Sequence, residues 1–137
     1  MSDGFALDPR LAADTAPVCD LALSTLRLMR DARFPWAILV PRIAGAVEIA
    51  DLSPADRATL MEEVAQVSHA LRRVAPCDKL NVGALGNLVP QLHVHVVARR
   101  KGDAAWPGPV WGSGGAEPYG PGELDRIVGD LRAALQP

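Results

Sequence analysis

The chain has 137 residues, 22 % of them charged and 49 % hydrophobic, with a net charge of −2. That length fits one domain burying roughly two-thirds of the surface its unfolded chain exposes, and the composition excludes a disordered polar chain. The near-neutral balance excludes a global field that would hold nucleic acid or an anionic membrane, so an anionic ligand has to be met locally.

The N-terminal stretch MSDGFALDPRLAAD has neither a basic leading region nor a long apolar core, unlike a secretory signal. No run approaches the roughly 18 apolar residues of a spanning helix, so a cytoplasmic protein is expected. The first twenty residues are polar and punctuated by proline, and they read as an arm packed on the body. LALSTLRLM (21–29) and WAILVPR (36–42) are apolar runs around the turn-like RDARFP (30–35), which predicts a β-hairpin with a long loop. AVEIA (46–50) suggests a brief third strand. Cys19 and Cys77 lie far apart and outside any C-x-x-C pair, which favours buried thiols over a zinc ribbon or redox pair.

The strongest helix signal begins at Ser53, an N-cap, with Pro54 in the first helical position and Asp56 in the first turn. Leu60, Val64, Val67, Leu71 and Val74 then recur at spacings of four and three, a single apolar stripe. Arg72 and Arg73 suit the last turn, and Pro76 stops the helix. His69 lies off the stripe and reads as a solvated surface residue. KLNVGAL (79–85) and QLHVHVVARR (91–100) predict two more strands joined by GNLVP. Residues 102–122 are rich in Gly and Pro and carry two tryptophans, a loop. ELDRIVGDLRAAL (123–135) closes the chain as a helix with Leu124, Ile127, Val128, Leu131 and Leu135 inward. Without βαβ alternation the order implies the α+β class: an antiparallel sheet of about five strands, with a central and a C-terminal helix on one face.

Side chains alternate along a strand, so Gln91, His93 and His95 share one face and Leu92, Val94 and Val96 the other. The apolar side must cover the helices. The polar side therefore faces solvent, a cleft or a partner, with same-face neighbours about 6–7 Å apart. Three chemistries compete for it. A half-exposed strand can carry polar residues without function. A zinc ion could take both imidazoles, but three or four ligands are needed and no third one is evident nearby. In the third, one neutral imidazole attacks a substrate while the other binds and polarises the group attacked.

The flanking residues favour the last. LNVGALGNLVPQLHVHVVAR resembles the signature strand pair of the histidine triad (HIT) superfamily, whose motif H-φ-H-φ-H-φ-φ appears here as Q-L-H-V-H-V-V. The second and third triad positions are His93 and His95, and Gln91 stands at the first. The family's G-Q-x-V-x-H element is echoed by G-N-L-V-P-Q with Asn87, and its earlier Asn–Gly stretch by Asn81 and Gly83. P-W-A-I-L-V (35–40) loosely matches the P-G-H-x-L-V segment of the first hairpin, with Ala37 in place of histidine.

The resemblance, spanning roughly residues 20–112, implies a single HIT-like domain over 1–137 that hydrolyses or transfers nucleotidyl groups. The substrate would be a dinucleoside polyphosphate, a nucleoside phosphoramidate or a similar compound. His93 would be the nucleophile on the α-phosphorus, giving a covalent nucleotidyl-histidine. His95 would donate to a phosphate oxygen, and Gln91 would stand in the supporting position without being able to titrate. Asn81 and Asn87 would contact phosphate oxygens or the leaving group, although Asn87 also suits a turn. Asp31 would face the ribose, or else is a solvated loop aspartate. Phe34 and Trp36 would wall a base pocket or belong to the core. Trp106 and Trp111 would cap the site, bury a dimer contact or pack internally. The resemblance implies a nucleotide-type ligand, a homodimer, and no metal or other cofactor. The alternative is a nucleotide-binding module that has lost catalysis, with Gln91 as the mark of that loss.

Overall fold

The computed structural model describes residues 4–136. In chain order they form α1 (Pro9–Asp14), β1 (Thr15–Asp20), β2 (Ser24–Met29), β3 (Trp36–Pro41), a 3-10 turn (Ile49–Asp51), α2 (Pro54–Val74), β4 (Lys79–Gly83), β5 (Val94–Arg99) and α3 (Glu123–Leu135). The five strands make one antiparallel sheet in the order β1-β2-β3-β5-β4.

Helix α2 starts as its sequence dictates. Ser53 Oγ accepts from the Asp56 N–H at 3.1 Å, Pro54 opens the first turn, and Arg72 and Arg73 sit in the last turn, where the helix dipole favours cations. Its stripe packs with that of α3 against one face of the sheet, where Leu60, Val67, Leu71, Val128 and Leu131 meet Leu26, Leu28, Leu39, Val94 and Val96. Glu63 is also buried on this face. Its carboxylate accepts from the Leu23 and Ser24 N–H groups at 2.8 and 3.1 Å, so the helix satisfies two backbone donors where β2 begins. His69 is exposed, as expected of a solvated surface residue, and Cys19 and Cys77 are free, partly buried thiols.

The other face carries a second, smaller cluster. Phe34, Trp36, Ile38, Val40 and Val97 pack there with Leu11 from α1 and Val110 from the long loop. Every residue of β3 and of β5 is therefore buried, the pattern of central strands covered on both sides.

Three elements differ from the sequence expectation. The first twenty residues are not only an arm, because Thr15–Asp20 is edge strand β1. Pro17 hides it; a proline is tolerated on an edge strand, and the register shifts between Pro17 and Cys19. AVEIA is not a strand. The Asp51 carboxylate takes the Val47 and Glu48 N–H groups at 3.1 and 2.8 Å, closing a 3-10 turn instead of leaving donors for a ladder. The signature strand begins only at Val94, after Leu92 N–H has bonded to the Ala46 carbonyl at 3.0 Å. Among the described residues, no helix is long and apolar enough to cross a membrane.

Candidate active site

Neighbouring strands β3 and β5 pair Ile38 with His95 and Trp36 with Val97. This register sets the Trp36 side chain diagonally across from His95, and the indole Nε1–H donates to His95 Nδ1 at 2.9 Å. Burial, followed by the nearby His93, pushes the His95 imidazole from its ordinary 6.5 down to about 3. The ring is therefore neutral near pH 7. With Nδ1 accepting, its proton sits on Nε2.

His93 precedes β5, and its Nδ1 lies 2.7 Å from the Gln91 carbonyl oxygen. A carbonyl only accepts, so Nδ1 carries the proton and in the neutral ring the lone pair is on Nε2. The two rings are 4.9 Å apart at 65°. Adjacent imidazoles thus hold opposite tautomers, one presenting a lone pair and the other an N–H.

Both histidines line a cleft of about 500 Å³, together with Trp36, Trp111, Asn87 and Leu11. The Trp111 ring stands edge-on to His95 and Trp36, at 5.4 and 6.3 Å between centroids, a favoured aromatic arrangement. Gly83, paired with His95, leaves room for that indole. A Cβ there would come within 3.2 Å of Trp111 Cη2, a close contact that the ring would have to relieve by a few tenths of an ångström.

The other sequence-selected residues sit around this cleft rather than in its wall. Asp31 is buried, with its carboxylate gripping Arg33 at 2.8 and 3.0 Å and accepting from the Arg33 and Glu117 N–H groups. Burial pushes this carboxyl up, but those hydrogen bonds prevail and hold it below its ordinary value. It is not the solvated loop residue that the sequence also allows. It lines a second cavity of about 540 Å³, which shares Asp14, Met29, Trp36, Leu88 and Gly112 with the histidine cleft. Asn81 Oδ1 accepts from Arg99 Nη1 at 2.8 Å. Arg99 is itself buried against Asp103 at 2.7 and 2.9 Å, with the Phe34 and Trp106 rings alongside. Asn81 and Trp106 thus belong to an arginine-centred cluster farther along the same face, where the Arg99 side chain claims them, and neither lines the cleft. Gln91 does not line it either, because its amide turns to the N-terminal segment and bonds Ala6 and Asp8. Among the described residues, no three His, Cys, Asp or Glu side chains converge as metal ligands would.

The sequence leaves Trp36 undecided between core and base pocket and does not reveal its bond to His95, since cross-strand pairing is invisible without the register. Leu11, inside the expected arm, carries no local signal of a site residue, and neither does Arg99, which reads in sequence as the polar end of a strand.

The HIT domain family matches residues 10–102, and the chain belongs to that family. It is similar to a histidine triad protein from Bradyrhizobium japonicum, with 49 % identity over 96 % of this chain and 98 % of that one and a TM-score of 0.93. A histidine triad protein from Sinorhizobium meliloti is 47 % identical over 96 % and 98 % of the two chains, also with a TM-score of 0.93. One from Marinobacter aquaeolei is 42 % identical over 96 % of each, again with a TM-score of 0.93. No protein with a curated description matches the chain significantly.

The neutral, buried His95 carries a signature in stability. The unfolded chain takes up a proton below the ordinary 6.5 while the folded chain refuses it down to about 3, so stability falls as pH drops through that window. Asp31 and Asp103 are both held below their ordinary 3.8, so the stability they add is fully present above that value and is lost only as pH falls below it. The urea midpoint is therefore expected to fall between about pH 6.5 and about pH 4.5, and that slope to flatten in His95→Asn. Equal slopes in the two proteins would contradict a buried neutral ring.

Proposed function

We propose that the protein is a nucleotidyl hydrolase or transferase working through a covalent nucleotidyl-His93 intermediate. Its substrate is a nucleoside phosphate derivative of the dinucleoside polyphosphate or nucleoside phosphoramidate kind. The opposite tautomers of His93 and His95 carry this reading, because phosphoryl transfer needs a lone pair on one side of phosphorus and a fixed donor to its oxygens.

In the proposed reaction the His93 Nε2 lone pair attacks the α-phosphorus. The P–O or P–N bond to the leaving group breaks, and that group leaves with the electron pair and takes a proton from solvent. The resulting phosphoryl-imidazolium keeps its Nδ1–H on the Gln91 carbonyl, which spreads the positive charge. His95 Nε2–H and the Asn87 amide donate to the non-bridging oxygens as their charge grows. Water, or another hydroxyl acceptor, then attacks phosphorus and gives its proton to solvent, while the P–Nε2 bond breaks and its electron pair returns to the ring, restoring the neutral imidazole. In this reading Asp31 meets the ribose from the adjoining cavity, Asn81 and Trp106 act through Arg99 on the walls, and Gln91 takes the position of the first triad histidine. No step calls on a metal or another cofactor.

The proposed assembly is a homodimer formed through the β4 edge and the adjoining face of α2. Support comes from Met61 and Val82, exposed at 64 % and 50 % beside a strand whose outer edge has no partner in the sheet. Open strand edges and exposed apolar side chains are surfaces that association covers. Sedimentation equilibrium should give twice the chain mass, and Met61→Glu should return a single chain. A monomeric parent protein rules the dimer out.

Rapid quench with adenosine phosphoramidate or a diadenosine polyphosphate, read by mass spectrometry, should show an acid-labile adenylyl adduct on His93. His93→Ala should lose both adduct and turnover, and His95→Ala should slow turnover about 10²–10³-fold. A His93→Ala protein as active as its parent would sink the mechanism. Tight AMP binding with no adduct would instead select a binding module without catalysis.

A further inference from the structure

We propose that the Gln91 side chain is a positioning residue, a strap that holds the N-terminal segment in place as a wall of the histidine cleft and so sets how tightly substrate is bound. This rests on the reading of that cleft as the nucleotide site.

Gln91 Oε1 accepts from the Asp8 N–H and Gln91 Nε2 donates to the Ala6 carbonyl, both at 2.8 Å. A primary amide presents an acceptor and a donor side by side, as a neighbouring strand's backbone would, and it grips the segment at two points. Arg10 Nη1 adds a tie to the Leu88 carbonyl at 2.9 Å.

What the strap holds matters to the cleft. Asp8 is the N-cap of α1, its carboxylate accepting from the Arg10 N–H at 2.8 Å, the usual way a cap fixes a first turn. Fixing Asp8 therefore fixes α1, which carries Leu11 and ends at Asp14, and both of these line the histidine cleft. Leu11 is buried in the same cluster as Trp36, the donor to His95. Gln91 thus acts twice. Its main-chain carbonyl receives His93 Nδ1–H, and its side chain secures the segment that brings α1 to the cleft. A neutral imidazole at this position would point its donor and acceptor away from each other and could not grip both groups. Glutamate would keep the acceptor but set a carboxylate against the Ala6 carbonyl.

Since only the side chain forms the strap, its loss should act on binding and spare the chemical step. In Gln91→Ala, hydrogen exchange at the amides of Asp8 and residues 10–14 should quicken about tenfold. AMP affinity should fall about tenfold, and KM for adenosine phosphoramidate should rise to match, with kcat within about twofold of the parent. Gln91→Glu should lie between, and Arg10→Ala, at an exposed position, should weaken AMP binding in the same direction without disturbing β5. Unchanged exchange in Gln91→Ala overturns the proposal, as does a loosened segment with AMP affinity unchanged, or a fall in kcat at constant KM. A parent protein that forms no adduct defeats the covalent mechanism alone, and the strap is then decided by exchange and AMP binding.

Discussion

The indole N–H that Trp36 donates to His95 Nδ1 sets the polarity of the site. It makes His95 an acceptor on its buried side and, since burial keeps the ring neutral, a donor on the other. The bond exists because β3 and β5 are adjacent and in register, with Trp36 diagonal to His95. Those strands are in turn held between two apolar layers. A charged His95 would need solvent that this sandwich excludes, so the fold and the protonation state depend on one another.

The second layer distinguishes this site from a polar strand face open to water. Leu11, Val110 and Trp111 are brought in by the N-terminal segment and the long loop, and each is secured from outside the cleft. Gln91 ties the first, the Asp31–Arg33 pair bonds to residues of the loop at Ser113 and Glu117, and Arg99 with Asp103 holds the loop's start. These walls come from the short helix α1 and from the irregular loop, and polar contacts do for them what ladders do for strands.

This division explains what could be read in the sequence. Helices α2 and α3 are legible to within a residue because caps, Pro54 and the apolar stripes are local signals. The shared face of His93 and His95 follows from alternation alone. Edge strand β1 is not legible, since Pro17 and a register shift break its pattern. AVEIA looks like a strand because nothing local announces that Asp51 captures two of its N–H groups. Asn81 and Asp31 are selected by position, but Asn81 is claimed by Arg99 of the neighbouring strand and Asp31 is closed in by Arg33 two residues on and by the distant Glu117 N–H, contacts that position alone does not announce. Gln91 reads as a strand residue beside the histidines, whereas its partners lie 83 and 85 positions away in the chain.

The most direct test is long-range ¹H–¹⁵N correlation of the two imidazoles at neutral pH. His93 is expected to show the pattern of an Nδ1-protonated ring, and His95 that of a neutral ring protonated on Nε2 and unchanged to about pH 5. A His95 that is cationic at neutral pH, or protonated on Nδ1, would contradict the assignment of nucleophile and donor.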